Sequence, residues 1–290
     1  AISGTGRLET SGTGTLTLSG TNSFTGATTV SGGTLAIMGG ASLADGARLT
    51  IASGAALSLV DADETVGSVT GAGDIALNSH CLTTGGDGTS SSFSGAISGS
   101  GCLNKTGAGT MTLTGTNTYT GTTTVSDGAI QVSTAGALGT GPLALEGAGA
   151  LVASTTFTFA RSISLTPVSG SGGGTLSVDP ARTLTVSGVI SGSGALTKSG
   201  AGTLVLSSAN TFSGATNTDA GTLQIGGGAS LSDTARLTIA GSAFVNLTDA
   251  DETVGSLAGA GSVGLNGHCL TAGGDGTSST FSGRSVTIRE

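Results

Sequence analysis

The stretch GAGTMTLTGTNTYTGTTTVSDG, residues 107–128, decides how this chain is read. Side chains alternate along a β-strand, so Met111 and Leu113 face one way and Thr110 and Thr112 the other. Gly, Thr and Ser are poor helix formers and recur every few residues, which disfavours a long helix. The apolar run ends at Gly115, and Asn117 follows as a turn residue whose side chain can bond nearby backbone groups. The stretch therefore predicts a short strand, a polar corner and a second short strand over TTTV.

The stretch is also written three times. GTNSFTGATTVSGG begins at Gly20, and SANTFSGATNTDAG begins at Ser208. The strand before each corner recurs too, as GTGTLTLSG at Gly12, GAGTMTLTG at Gly107 and GAGTLVLSS at Gly200. Each corner carries the same devices. Asn22, Asn117 and Asn210 hold the bend; Phe24, Tyr119 and Phe212 tuck against the core; Gly26, Gly121 and Gly214 release the chain into the next strand. A longer period is visible as well. DADETVGSVTGAGDIALNSHCLTTGGDGTSSSFSG at Asp61 returns at Asp249 with 27 of 35 positions identical. We divide the chain into repeats 1–95, 96–188 and 189–283 of a single solenoid spanning 1–290, with a divergent end at 284–290.

Further apolar pairs keep the two-residue spacing: Leu16 and Leu18, Leu35 and Ile37, Leu49 and Ile51, Leu57 and Leu59, Ile75 and Leu77, Leu204 and Leu206. One such strand buries too little to be stable, whereas stacked copies bury a continuous file of aliphatic side chains. The spacing leaves no room for crossover helices. The fold expected is all-β: a parallel β-helix of three short strands per coil and roughly thirteen coils, about 60 Å long at ~4.8 Å per coil, with a β-sandwich or propeller as the alternative.

Composition agrees with this and narrows function. Of 290 residues, 55 are Gly, 9% are charged and none is Trp. Only nine Lys and Arg are present, scattered along a chain of net charge −8, so no basic patch offers itself to nucleic acid. No apolar run is long enough for a membrane-spanning helix. The chain starts with Ala in a segment, AISGTG, that matches the internal AISGSG at 96, and it reads as a piece of a longer protein.

The motifs resemble a known family. GSGCLNKTGAGTMTLTGTNTYTGTTTVSDGAI is similar to the passenger-associated repeat of bacterial autotransporters, and TVGSVTGAGDIAL resembles the segment that often precedes it. The first copy departs from the pattern with RLETSG where the others have LNKTG and LTKSG. The resemblance implies a right-handed parallel β-helix, secretion across the outer membrane of a Gram-negative bacterium and display at the cell surface. It implies adhesin-like passengers of the AIDA type, which adhere to host or neighbouring cells or self-associate, and a stalk that supports folding and export. It also implies a C-terminal translocator barrel in the full protein. No cofactor is expected. The alternative kept open is a fragment of a carbohydrate-active β-helix enzyme, which would need two carboxylates about 5 to 10 Å apart in a groove. Asp179, Arg161 and Arg182, in the divergent middle copy, are the residues available for it.

Four groups invite sharper chemistry. Asp61, Asp63 and Glu64, with their copies Asp249, Asp251 and Glu252, are calcium candidates because Ca²⁺ takes several oxygen ligands. Three carboxylates without a closing partner read first as a solvated turn, and no metal is assigned. GGDGTSSSF at Gly85 and GGDGTSSTF at Gly273 resemble a calcium-binding nonapeptide, but Ser90 and Ser278 stand where that motif has Asp. His80-Cys81 and His268-Cys269 are read as Cys inward and His outward, with no chemistry. The three cysteines, Cys81, Cys102 and Cys269, are read as small buried hydrophobes, with a Cys81–Cys102 disulfide between neighbouring coils as the second reading.

Overall fold

A computed structural model of the chain describes residues 1–39, 43–169, 172–227 and 231–286. Among them every strand pairing is parallel, the only helix is a single 3₁₀ turn at Ala135–Leu138, and the architecture is a β-solenoid of about thirteen turns. The chain forms two compact units, Ala1–Pro142 and Leu143–Glu290.

In the first unit a coil visits three sheets in turn. Ser68–Gly71 lies in sheet one, Asp74–Ala76 in sheet two and Leu82–Thr84 in sheet three; Ser91–Phe93 then returns to sheet one. Leu8 pairs with Thr28, Gly71 with Phe93 and Glu64 with Leu82, so in this unit one coil takes 18 to 22 residues. The second unit repeats the plan. Thr183–Val186, Thr203–Leu206, Thr222–Ile225 and Phe244–Leu247 stack in one of its sheets. The divergent end continues it, because Arg284–Val286 pairs with Ser262–Gly264; residues 287–290 lie outside the described residues.

The two-residue alternation produces the core directly. Leu35, Leu57, Ile75 and Ile97 stack in register as one inward file, and all four are fully buried. Leu184, Leu204, Leu223 and Val245 form the corresponding file in the second unit, also fully buried. Each such side chain contributes roughly 1.5–3 kcal/mol on burial. Leu16 pairs with Leu35 but is 39% exposed, because it heads the file and is covered from one side only.

The repeat does not keep to one face. Its first copy places Leu8–Thr10 in sheet one and Thr15–Leu18 in sheet two. The second copy, in the same unit, places Leu103–Lys105 in sheet three and Thr110–Leu113 in sheet one. The motif has been turned by one face of the solenoid. Thr15 and Thr17 therefore point from a different sheet than Thr110 and Thr112, although the sequences match.

Candidate functional site: the repeated corner

The three Asn side chains do the same job. The Oδ1 of Asn22 accepts the Ile2 N–H at 2.7 Å, that of Asn117 the Ile97 N–H at 2.7 Å and that of Asn210 the Ile190 N–H at 2.8 Å. Each donor is 20 residues back, one coil away. Asn117 also reaches the next coil, since its Nδ2 donates to the Ala137 carbonyl and its own N–H donates to Gly136. A buried polar side chain thus ties three successive coils, where an unpaired amide would be costly.

The aromatic residue seals the corner. Phe24 and Phe212 are 3% exposed and Tyr119 is fully buried. The Tyr119 hydroxyl shares a hydrogen bond with Thr123. The glycine is required by close approach, not by an unusual φ. A Cβ on Gly26, Gly121 or Gly214 would collide with the carbonyl of Gly6, Gly101 or Gly194, one coil away.

Sequence reasoning missed a fourth device, the lysine. Lys105 and Lys198 are the chain's only lysines, and both point inward, 1% and 0% exposed. The Lys105 Nζ donates to the carbonyls of Thr106 at 2.7 Å, Gly107 at 2.6 Å and Asp127 at 3.3 Å. The Lys198 Nζ donates to Ser199 at 2.8 Å, Gly200 at 2.8 Å and Ala220 at 3.0 Å. In each case two carbonyls belong to the turn after the lysine and one to the next coil. An ammonium has three protons for three acceptors. Burial pushes Lys198 down to about 8; it pushes Lys105 down as well, against the charges of Asp127 and Asp87. The signal was present as the lysine of LNKTG and LTKSG. Alternation from Leu103 and Leu196 places both lysines inward.

The acidic segments also bridge coils. Asp61 Oδ1 accepts the Gly39 N–H at 2.7 Å, Asp63 Oδ1 the Cys81 N–H at 2.8 Å and the buried Glu64 Oε1 the Leu43 N–H at 3.1 Å. The copy matches: Asp249 takes the Gly227 N–H, Asp251 the Cys269 N–H and Glu252 the Leu231 N–H. The three carboxylates diverge onto three separate backbone donors. Among the described residues no three His, Cys, Asp or Glu side chains converge as a metal would require. In the Gly85 loop the Asp87 Oδ1 accepts the Thr89 N–H at 2.9 Å and its hydroxyl at 2.8 Å, and Asp275 treats Thr277 identically. Ser90 Oγ takes the Thr110 N–H of the following coil at 3.1 Å.

The cysteines depart from expectation. Cys81 and Cys102 form a disulfide, with Cα atoms 4.4 Å apart, and Cys269 is exposed. None is a core hydrophobe. Leu82 and Leu103 pair in register and point inward, so the residue before each must point outward, which stacks Cys81 on Cys102. Outward-facing Cys81 brings His80 beside Asp63, with Nδ1 3.7 Å from Oδ1; His268 and Asp251 repeat this at 3.8 Å. Of the residues kept for an enzyme, the Arg182 backbone N–H donates to the Asp179 carbonyl, and the Arg161 guanidinium lies 4.5 Å over the Phe159 ring.

Residues 4–37, 103–132 and 196–225 each match the family model of the passenger-associated-transport-repeat. These segments contain the three Asn corners and both lysines. No curated protein and no solved structure matches the chain. The chain carries three passenger-associated transport repeats within a β-solenoid, in keeping with an autotransporter passenger.

Proposed function

We propose that this chain is a structural stretch of a surface-displayed autotransporter passenger from a Gram-negative bacterium, without enzymatic activity, held outside the cell by a translocator barrel elsewhere in the full protein. The observation that carries the reading is that all three transport repeats build the same coil-to-coil Asn bond. Their work is to make each new coil bind the one before it, which supports folding during export.

The same reading includes self-association through the outward hydroxyls. Thr29, Thr50 and Thr70 stand in register on sheet one, and the hydroxyls of Thr50 and Thr70 lie 3.1 Å apart. Ser92 and Thr112 continue the outward side of that sheet. From Thr29 to Thr112 the file is uncharged, with Glu9 at its head in register with Thr29, so along that stretch a second copy meets no like charge. Sedimentation velocity across concentration tests it. Reversible association that is lost in a Thr50→Lys/Thr70→Lys variant supports the reading. A chain that stays monomeric throughout removes self-association and leaves the stalk.

A further inference from the structure

The lysine position has one exception. In the first repeat Thr10 stands where Lys105 and Lys198 stand in the others. The backbone on the side of the following coil is nonetheless built the same way, while on the other side Gly12 is open where Gly107 packs on Gly85 and Gly200 on Val178. The Ser31 N–H donates to the Thr10 carbonyl at 2.9 Å, as Ser126 does to Lys105 at 3.0 Å and Asp219 to Lys198 at 2.9 Å. The Thr34 N–H donates to Gly14 as Ala129 does to Gly109 and Thr222 to Gly202. Gly33, Gly128 and Gly221 share a φ of 63°, 62° and 66°. A Cβ on Gly33 would meet the carbonyls of Gly12 and Gly14. The same substitution at Gly128 would meet Gly107 and Gly109, and at Gly221 Gly200 and Gly202.

The carbonyls that hold the ammonium in the second repeat are those of Thr106, Gly107 and Asp127. Their counterparts in the first repeat are those of Ser11, Gly12 and Gly32. Thr10 Oγ1 donates to the Gly32 carbonyl at 3.4 Å, the same next-coil acceptor that both lysines use. Threonine is too short to serve all three carbonyls and brings no charge. We propose that in the first repeat a monovalent cation of ammonium or potassium size takes the place of the lysine ammonium, held by the carbonyls of Ser11, Gly12 and Gly32 and by Thr10 Oγ1.

Distance and charge select the ion. The lysine nitrogens sit 2.6 to 3.3 Å from their carbonyls. Calcium prefers about 2.3–2.6 Å and charged ligands. Rings of neutral backbone carbonyls are the ligands of potassium sites. The ligand set here is neutral, and in two repeats the same backbone holds a group of charge +1.

Two measurements on the 290-residue chain test this. Crystals soaked in RbCl should show anomalous density bounded by the carbonyls of Ser11, Gly12 and Gly32. The thermal midpoint should be about 3 °C higher in KCl than in choline chloride at equal ionic strength. Thr10→Lys should abolish that difference by supplying the ammonium covalently. Lys105→Met, which frees a second set of carbonyls, should enlarge it. Rubidium absent from the site, with ordered water in its place, overturns the proposal. So does a potassium response that survives unchanged in Thr10→Lys. The rubidium result needs no variant, so a misfolded Thr10→Lys does not leave the question undecided.

Discussion

Lys198 is fully buried and its ammonium is bonded only to backbone carbonyls, so its protonation must be linked to folding. Removal from water by burial lowers its pKa to about 8. The unfolded chain keeps the proton up to about 10.5. Between these limits the unfolded state binds more protons, so stability rises with pH across that window. The expected gain from Lys198 is at most about 3 kcal/mol. Denaturant midpoints from pH 7 to 10.5 should climb in the wild type and climb less in Lys198→Met; equal slopes would refute the linkage. The Asn residues give a second prediction. Asn117→Ala strands the Ile97 N–H and the Ala137 carbonyl in the interior and should cost about 3 kcal/mol. The bond that Asn22→Ala takes from the N–H of Ile2 lies at a residue 40% exposed, where water can replace it, and its loss should cost about 1 kcal/mol or less. Urea titration of the two variants checks the difference.

At the scale of the strand and corner, the disulfide closes one coil. Cys81 and Cys102 are 21 residues apart, and cross-linking a loop of that length stabilises by about 3 kcal/mol in the chain-entropy account. Cys81→Ser/Cys102→Ser should lower the unfolding free energy by roughly that amount, and reductant should destabilise the wild type while leaving the variant unmoved. This element also marks how far the sequence could be read. The alternation of Leu35 with Ile37 and of Met111 with Leu113 made the inward files legible, because a period of two has one interpretation once one face is buried. The same rule, applied to Leu82, turns Cys81 outward and prepares the disulfide. Composition argued for buried thiols and obscured it. The lysines were hidden for a similar reason: lysine is almost never fully buried, and its carbonyl partners lie on a turn and on the next coil, which no local pattern displays. The turned repeat was not legible at all. It depends on how the offset of 95 residues between Ile2 and Ile97 fits coils whose lengths vary from 18 to 22 residues. The coordination of Asp61, Asp63 and Glu64 by three backbone donors likewise depended on which coil lies beside them.

A solenoid coil touches only its neighbours, so its stability is a sum of local terms and not one global quantity. If, as proposed, the chain folds as it emerges from the cell, each coil needs only an adjoining coil to bind. The corner bonds fit that requirement, since each Asn accepts an N–H 20 residues back, in the adjoining coil, and Asn117 reaches forward only to the next. Damage should stay local for the same reason. Gly121→Ala places a methyl against the Gly101 carbonyl, and Gly141 is packed as closely on Gly121. Overpacking of this kind costs about 1–3 kcal/mol. Hydrogen exchange on the Gly121→Ala variant should then speed up at Thr120 and Thr140, whose N–H groups bond to Gly99 and Tyr119 within the adjoining coils. Exchange in Thr28–Val30, several coils distant in the same unit, should stay at the wild-type rate. Protection lost evenly along the chain would mean that the coils unfold as one body. Coil-by-coil support of export would then have no basis in the energetics, and the value of the repeats would have to lie in the finished surface.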